Sequence, residues 1–185
     1  MEHKIELPLT REKATKIRSG DIVYLSGVIY TARDAAHKRM IDLIDDGKAL
    51  PFPIEDAVIY YVGPTPEAPG QVIGSAGPTT SYRMDSYAPA LLELGLRGMI
   101  GKGKRSPEVV EAMKQAGAVY FGAIGGAAAL LADCIVESNV IAFDDLGTEA
   151  VRQLVVKDFP VTAVIDSYGE NLYVTGRQAY LDSLA

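Results

Sequence analysis

Gly74-Ser-Ala-Gly-Pro-Thr-Thr-Ser-Tyr-Arg-Met-Asp85 places hydroxyls and an arginine just past a Gly-Pro turn, where a strand is expected to hand over to a helix. Glycine lets the backbone approach a ligand closely, proline stiffens the turn, and Thr79, Thr80, Ser81 and Arg83 supply donors suited to a carboxylate or phosphate. The stretch reads as an anion-binding loop. Working outward, Ser26-Gly-Val-Ile-Tyr-Thr-Ala-Arg-Asp-Ala-Ala-His-Lys-Arg39 follows the same logic: an apolar strand, then a helix opening on Arg33 and Asp34, with His37 on the face of Arg33. Two cationic sites on strand-to-helix junctions point to an α/β fold and to a ligand with two anionic ends.

The rest of the chain fits that class. Thr10 to Arg18 reads as a short helix, Ile22 to Leu25 as a strand, Arg33 to Asp45 as an amphipathic helix, and Val58 to Val62 as a buried strand. After Gln71 to Ile73 and the Gly-Pro-Thr-Thr loop, a helix is expected through Leu94, then a strand over Gly98 to Ile100. Ser106-Pro107-Glu108 has the signature of a helix start, closing at Gly117. A strand over Ala118 to Gly122 and a small-residue helix over Gly125 to Ile135 follow. Val151 to Phe159 is ambiguous by pattern, its β-branched residues favouring strand, and Val161 to Ile165 and Asn171 to Val174 are β-rich runs. Strands alternating with helices, then a strand-rich tail, predict a layered α/β domain with a mixed sheet flanked by helices, covering residues 1–185 as a single unit. Only the ends are expected to be loose.

With 185 residues, 48% hydrophobic and 23% charged, the chain is long enough to bury about 70% of its unfolded surface. A net charge of −6 argues against nucleic acid, which demands a basic face. No apolar stretch is long enough to span a bilayer and no secretory signal is visible, so the expected location is cytoplasmic, with no membrane partner. Cys134 is the only cysteine; one thiol cannot hold an iron–sulfur cluster or a thiolate zinc site, and it is expected to be buried and inert. Asp42, Asp45 and Asp46, like Asp144 and Asp145, read as solvated faces and turn ends, so no metal site is expected on this chain.

Lys102 lies between glycines after an apolar strand, so its ammonium can reach a ligand over exposed backbone; a P-loop is excluded because the required upstream glycine and following Ser or Thr are missing. Lys104 and Arg105 read as solvated. Gly122-Ala-Ile-Gly-Gly126 lacks dinucleotide-loop spacing and reads as a close-packing turn. Arg33 and Arg83 have an alternative as surface ion pairs with Asp34 and Asp85. His37 has one as a structural histidine, and Thr79 as a turn hydroxyl bonded to backbone.

The two opening segments, with Tyr60-Tyr-Val-Gly-Pro-Thr-Pro66, Met99-Ile-Gly-Lys-Gly103 and Leu146-Gly-Thr-Glu-Ala-Val-Arg-Gln-Leu-Val-Val-Lys-Asp-Phe-Pro160, resemble the β subunit of two-subunit class I fumarases and of the related L-tartrate dehydratase. This is the counterpart of the C-terminal domain in single-chain enzymes, and the resemblance runs from about Leu7 to Tyr173. It implies a swivelling β/β/α domain similar to that of aconitase and a hydro-lyase interconverting (S)-malate and fumarate, with L-tartrate dehydratase as runner-up. The Glu149-Ala-Val-Arg and Lys157-Asp-Phe-Pro160 stretches look more like fumarases. By the same resemblance Arg33, Arg83 and Lys102 bind substrate carboxylates, and Thr79 matches a threonine assigned to proton handling; His37 is a further catalytic candidate. The resemblance also implies a partner α subunit carrying the cysteine ligands of a 4Fe-4S cluster, a site between the subunits, and an α2β2 assembly. A noncatalytic dicarboxylate-binding or assembly module is the alternative of a different class.

Overall fold

A computed structural model describes residues 1–123 and 128–183. Its strands are β1 (Glu2–Glu6), β2 (Ile22–Thr31), β3 (Val58–Tyr60), β4 (Gly98–Gly101), β5 (Val119–Gly122), β6 (Ile135–Ala142) and β7 (Val151–Ile165). Its α-helices are α1 (Arg11–Ala14), α2 (Asp34–Asp45), α3 (Ala88–Glu93), α4 (Pro107–Ala116), α5 (Ala128–Asp133) and α6 (Leu172–Asp182), with 3-10 turns at Ser81–Met84 and Asp144–Glu149.

The seven strands run in the order β1-β2-β3-β4-β5-β7-β6, and β7 also pairs with β2. Strands β1 to β5 are mutually parallel; β7 is antiparallel to β2, β5 and β6. Because the 15-residue β7 reaches both β2 and β5, the ladder β2-β3-β4-β5-β7 closes on itself. The mixed α/β sheet expected from the sequence is present.

Side chains alternate across a strand, so this ring sorts its residues into two cores. Leu25, Ile29, Tyr60, Ile100, Phe121, Leu154 and Phe159 join one cluster. Ile59, Tyr61, Met99 and Tyr120, one position out of phase, join a second with Met40 of α2, Leu91 and Leu92 of α3, and Val109 and Met113 of α4. Every residue of β3 and β4 is buried, as expected for parallel strands covered on both faces. Helix α4 follows its sequence signature: the Ser106 hydroxyl accepts from the Val109 amide and Gly117 (φ 68°) ends it.

Several expectations change. The helix expected over Thr10 to Arg18 is confined to Arg11–Ala14, with Thr10 as its cap. No strand feeds the Gly-Pro-Thr-Thr loop from Gln71 to Ile73. The helix expected to continue to Leu94 is split, because Pro89 in the first turn of α3 has no N–H to continue a helix from Ser81. The small-residue helix ends at Asp133, and Ile135 instead opens β6 against β7; its expected start at Gly125 lies outside the described residues. Asn171 to Val174 is not a strand: the Asn171 side chain accepts from the Tyr173 amide and its carbonyl from Val174 and Thr175, starting α6 against the β-propensity of the run. The first residues are not loose either. They pair with β2, and His3 Nε2 lies 2.8 Å from Asp21.

Candidate functional site

Parallel strands deliver their following loops to one end of the sheet, and ligands gather at that end in open α/β sheets and closed parallel barrels alike. Arg33 follows β2, Tyr61 to Gly63 follow β3, and Lys102 follows β4, so adjacent strands set these groups side by side. The Gly-Pro-Thr-Thr loop is stitched to the same edge by backbone hydrogen bonds. The Thr79 amide donates to the Tyr61 carbonyl at 2.7 Å, the Lys102 amide to the Thr79 carbonyl at 3.3 Å, and the Ser81 amide to the Lys102 carbonyl at 2.8 Å. Thr79 and Lys102, 23 positions apart, thus become neighbours, and Arg83 follows on the 3-10 turn.

The two arginines meet through an acid. Arg83 Nη2 donates to Asp34 Oδ2 at 2.8 Å, and Asp34 Oδ1 lies 3.9 Å from Arg33 Nε. Arg33 Nη2 also pairs with Glu149 at 3.0 Å. Asp34 therefore serves both arginines, whereas Asp85 serves neither. Arg105, expected to be solvated, is 7% exposed and donates from Nε to Asp85 Oδ1 at 2.7 Å, because a buried guanidinium needs a carboxylate. Three cations, Arg33, Arg83 and Lys102, and two carboxylates, Asp34 and Glu149, come from segments gathered at this edge. Lys102 is exposed and makes no ion pair among the described residues, Arg83 keeps 40% of its side chain exposed, and Arg33 Nε is buried without a hydrogen-bond partner. The cluster retains one positive charge and unused guanidinium donors, which suits a carboxylate-bearing anion.

Glycines make the close approaches possible. A Cβ at Gly63 would sit 2.8 Å from Arg33 Nη1 and 3.2 Å from the Thr148 carbonyl, so Arg33 lies across bare backbone. A Cβ at Gly101 would collide with the Ser81 hydroxyl, which is held at 2.9 Å by the Tyr120 hydroxyl.

His37 is fully buried. Its Nδ1 lies 2.8 Å from the Arg33 carbonyl, and its ring packs edge-on to Tyr61 at 5.3 Å between centroids. The ring has no exposed surface and lies beneath the Arg33 backbone. Burial pushes its pKa down to about 4, aided by Arg105 and opposed by the Arg33 carbonyl and Asp34. A histidine whose folded pKa lies below its unfolded value stabilises the chain above about pH 6.5 and loses that contribution as pH falls toward about 4, on the order of 3 kcal/mol in all. Urea midpoints should fall more between about pH 7 and about pH 4.5 for the wild type than for His37→Gln. Equal falls would contradict the buried neutral ring.

Cys134 is half-buried rather than buried, and burial first, then Asp133 and Asp158, push its thiol up, away from reactivity. Arg39 pairs with Asp145, and among the described residues no group of His, Cys, Asp and Glu is placed to hold a metal ion. No helix among them is long and apolar enough to cross a membrane. The Gly125 and Gly126 end of the expected close-packing turn lies outside the described residues.

The sequence reading missed Tyr61, Arg105 and Glu149 as partners of the site. Arg105 carried a faint signal, an arginine directly before the Ser106 cap that brings it next to a helix end.

Cations gathered at the carboxyl ends of adjacent parallel strands suit a small anion. Residues 1–176 match the family described as Fumarase C-terminus, and the chain belongs to that family. Over 171 residues it is 39% identical to a Methanocaldococcus jannaschii chain provisionally named L(+)-tartrate dehydratase subunit beta, covering 89% of this chain and 88% of that one. It is 40% identical over 165 residues to fumarate hydratase 2 of Leishmania major and 40% over 151 residues to the aerobic class I fumarate hydratase of Escherichia coli K12. These alignments cover 88% and 80% of this chain but only 29% and 28% of those longer proteins. All three relatives carry hydro-lyase names.

Proposed function

We propose that this chain, acting as one domain, is the β subunit of an iron–sulfur-dependent hydro-lyase, fumarate hydratase, interconverting (S)-malate and fumarate. The observation that carries the reading is the pair Arg33 and Arg83 linked through Asp34 beside Thr79 and Lys102, in a member of the Fumarase C-terminus family. Dehydration of malate removes a weakly acidic proton from the carbon beside a carboxylate, and negative charge builds on that carboxylate. Fixed guanidinium and ammonium groups stabilise it without reorganising. Arg33, Arg83 and Lys102 hold the two carboxylates in this reading, and the Thr79 hydroxyl contacts the carbon that loses its proton.

The chain does not itself fit a 4Fe-4S cluster, which takes several thiolates where this sequence has Cys134 alone. The reading assigns the cluster to a cysteine-bearing α subunit, with the site between the chains and an α2β2 assembly. Thr79→Val keeps the side-chain shape and removes the hydroxyl, so turnover by the reconstituted pair should fall far more than for Thr80→Val. Equal losses would show that the other hydroxyl faces the substrate.

A second reading, L-tartrate dehydratase β subunit, is favoured by one observation: the relative that this chain matches nearly end to end carries that name. Dehydration of (S)-malate and L-tartrate by the same reconstituted pair decides between them. Malate is expected to be the better substrate by kcat/KM, and a preference for tartrate would replace the first reading with the second.

A further inference from the structure

Helix α2 opens on a residue that cannot cap it. The first amides of a helix lack partners within it, and an N-cap side chain ordinarily satisfies one by accepting a hydrogen bond. Arg33 stands at that position, its side chain caps nothing, and a guanidinium can only donate. The acceptor comes from a distant segment instead. Glu149 Oε2 accepts from the Ala35 amide at 3.3 Å, while Oε1 of the same carboxylate lies 3.0 Å from Arg33 Nη2. One carboxylate thus serves the helix start and the guanidinium together, at the end of the helix where the dipole favours negative charge.

Glu149 is presented from a fixed backbone. It is the last residue of the 3-10 turn between β6 and β7. Thr31, buried and two positions before Arg33, donates its hydroxyl to the Ala150 carbonyl at 3.3 Å and accepts from the Arg152 amide at 2.9 Å. The same turn grips α2 again further along, where Arg39 Nη1 donates to Asp145 Oδ1 at 2.7 Å. Arg33 Nη1 lies against Gly63, where the Thr148 carbonyl of this turn also approaches. The Arg33 and Glu149 side chains keep only 21% and 20% of their surface exposed, so this is not one of the fully solvated ion pairs that contribute little.

We propose that Glu149 is a positioning residue: its carboxylate ties the Arg33 guanidinium to the first turn of α2 and so fixes the direction in which Arg33 presents its remaining donors to a substrate carboxylate. Asp34 links the two arginines to each other; Glu149 links Arg33 to the scaffold. The effect on turnover rests on the hydro-lyase reading, whereas the tie itself does not.

The test pairs a spectrum with a double-mutant cycle. In the 15N-labelled full-length chain, the Arg33 Nε–H resonance is identified by its loss in Arg33→Met. Glu149→Ala should displace that resonance and the Ala35 amide while leaving the Val109 amide of α4 in place. Glu149→Gln, which keeps one acceptor oxygen, should hold the Ala35 amide nearer its wild-type position. In the reconstituted pair, Glu149→Ala should lower kcat/KM for malate about tenfold in the wild-type background and hardly at all on top of Arg33→Met, because the residue acts through Arg33. Glu149→Gln should lose less than Glu149→Ala, and it takes the place of Glu149→Ala in the cycle if the alanine variant does not fold. An unmoved Arg33 resonance, an equal loss in both backgrounds, or a lower KM in Glu149→Ala overturns the proposal. A wild-type pair inactive on malate and tartrate overturns the hydro-lyase reading instead, and the resonances then decide whether Glu149 orients Arg33.

Discussion

Arg33→Met and Arg83→Met should each lower kcat/KM of the reconstituted pair by about 2–5 kcal/mol of transition-state binding, the range for removing one member of a buried hydrogen-bonded charge pair. That is roughly 30- to 5,000-fold in rate. The folded chain should tolerate both. Arg83 keeps 40% of its side chain exposed, and methionine retains much of the length of Arg33 where it crosses Gly63. The two losses should not add, because Asp34 is shared: removing either arginine leaves the other pulled toward an acid with one fewer partner. Near-normal kcat/KM in both single variants would remove carboxylate binding from this cluster.

Gly101→Ala should be nearly as damaging without touching the substrate. The added Cβ meets the Ser81 hydroxyl and comes within 3.0 Å of the Tyr61 ring, and both neighbours are fixed. Ser81 is bonded to the Tyr120 hydroxyl, which also donates to the Gly103 carbonyl at 2.9 Å, and Tyr61 is buried in the helix-facing core. Overpacking of this kind costs about 1–3 kcal/mol of stability. The loop bearing Thr79 and Arg83 has to move away from Lys102 to relieve it. Activity should fall at least tenfold at temperatures where the variant remains folded, as shown by comparing circular dichroism with turnover. A variant that keeps full activity would show that the Gly101 contact does not set the loop position.

Much of the architecture is legible from local chemistry. The Ser106-Pro107-Glu108 start and Gly117 stop of α4, and the β-branched run that becomes β7, follow from capping and propensity alone. What local reasoning did not reach depends on distant partners. Strand β6 is largely exposed, and only its pairing with β7 makes it a strand. The Glu2–Glu6 segment looked like a tail because its order comes from β2. Arg33, Thr79, Arg83 and Lys102 were named together through the family resemblance, and the structure brings their backbones to one edge. The partners were not. Asp85 stood as the ion-pair alternative for its sequence neighbour Arg83, but the return of the chain after β4 brings a better-buried arginine, Arg105, to it. Helical spacing gives the face His37 shares with Arg33 but not the depth at which the helix is packed.

The central claim is that this chain supplies carboxylate-binding charge to a site that a cysteine-bearing partner completes. The most direct measurement follows fumarate formation from (S)-malate by ultraviolet absorbance for this chain alone, for the α subunit carrying a rebuilt cluster alone, and for the two mixed anaerobically. Turnover is predicted only in the mixture, because the lone thiol of Cys134 cannot ligate the cluster and the α subunit alone lacks Arg33, Arg83 and Lys102. Robust turnover by this chain alone with iron chelated, or undiminished turnover by the α subunit without it, would contradict the account.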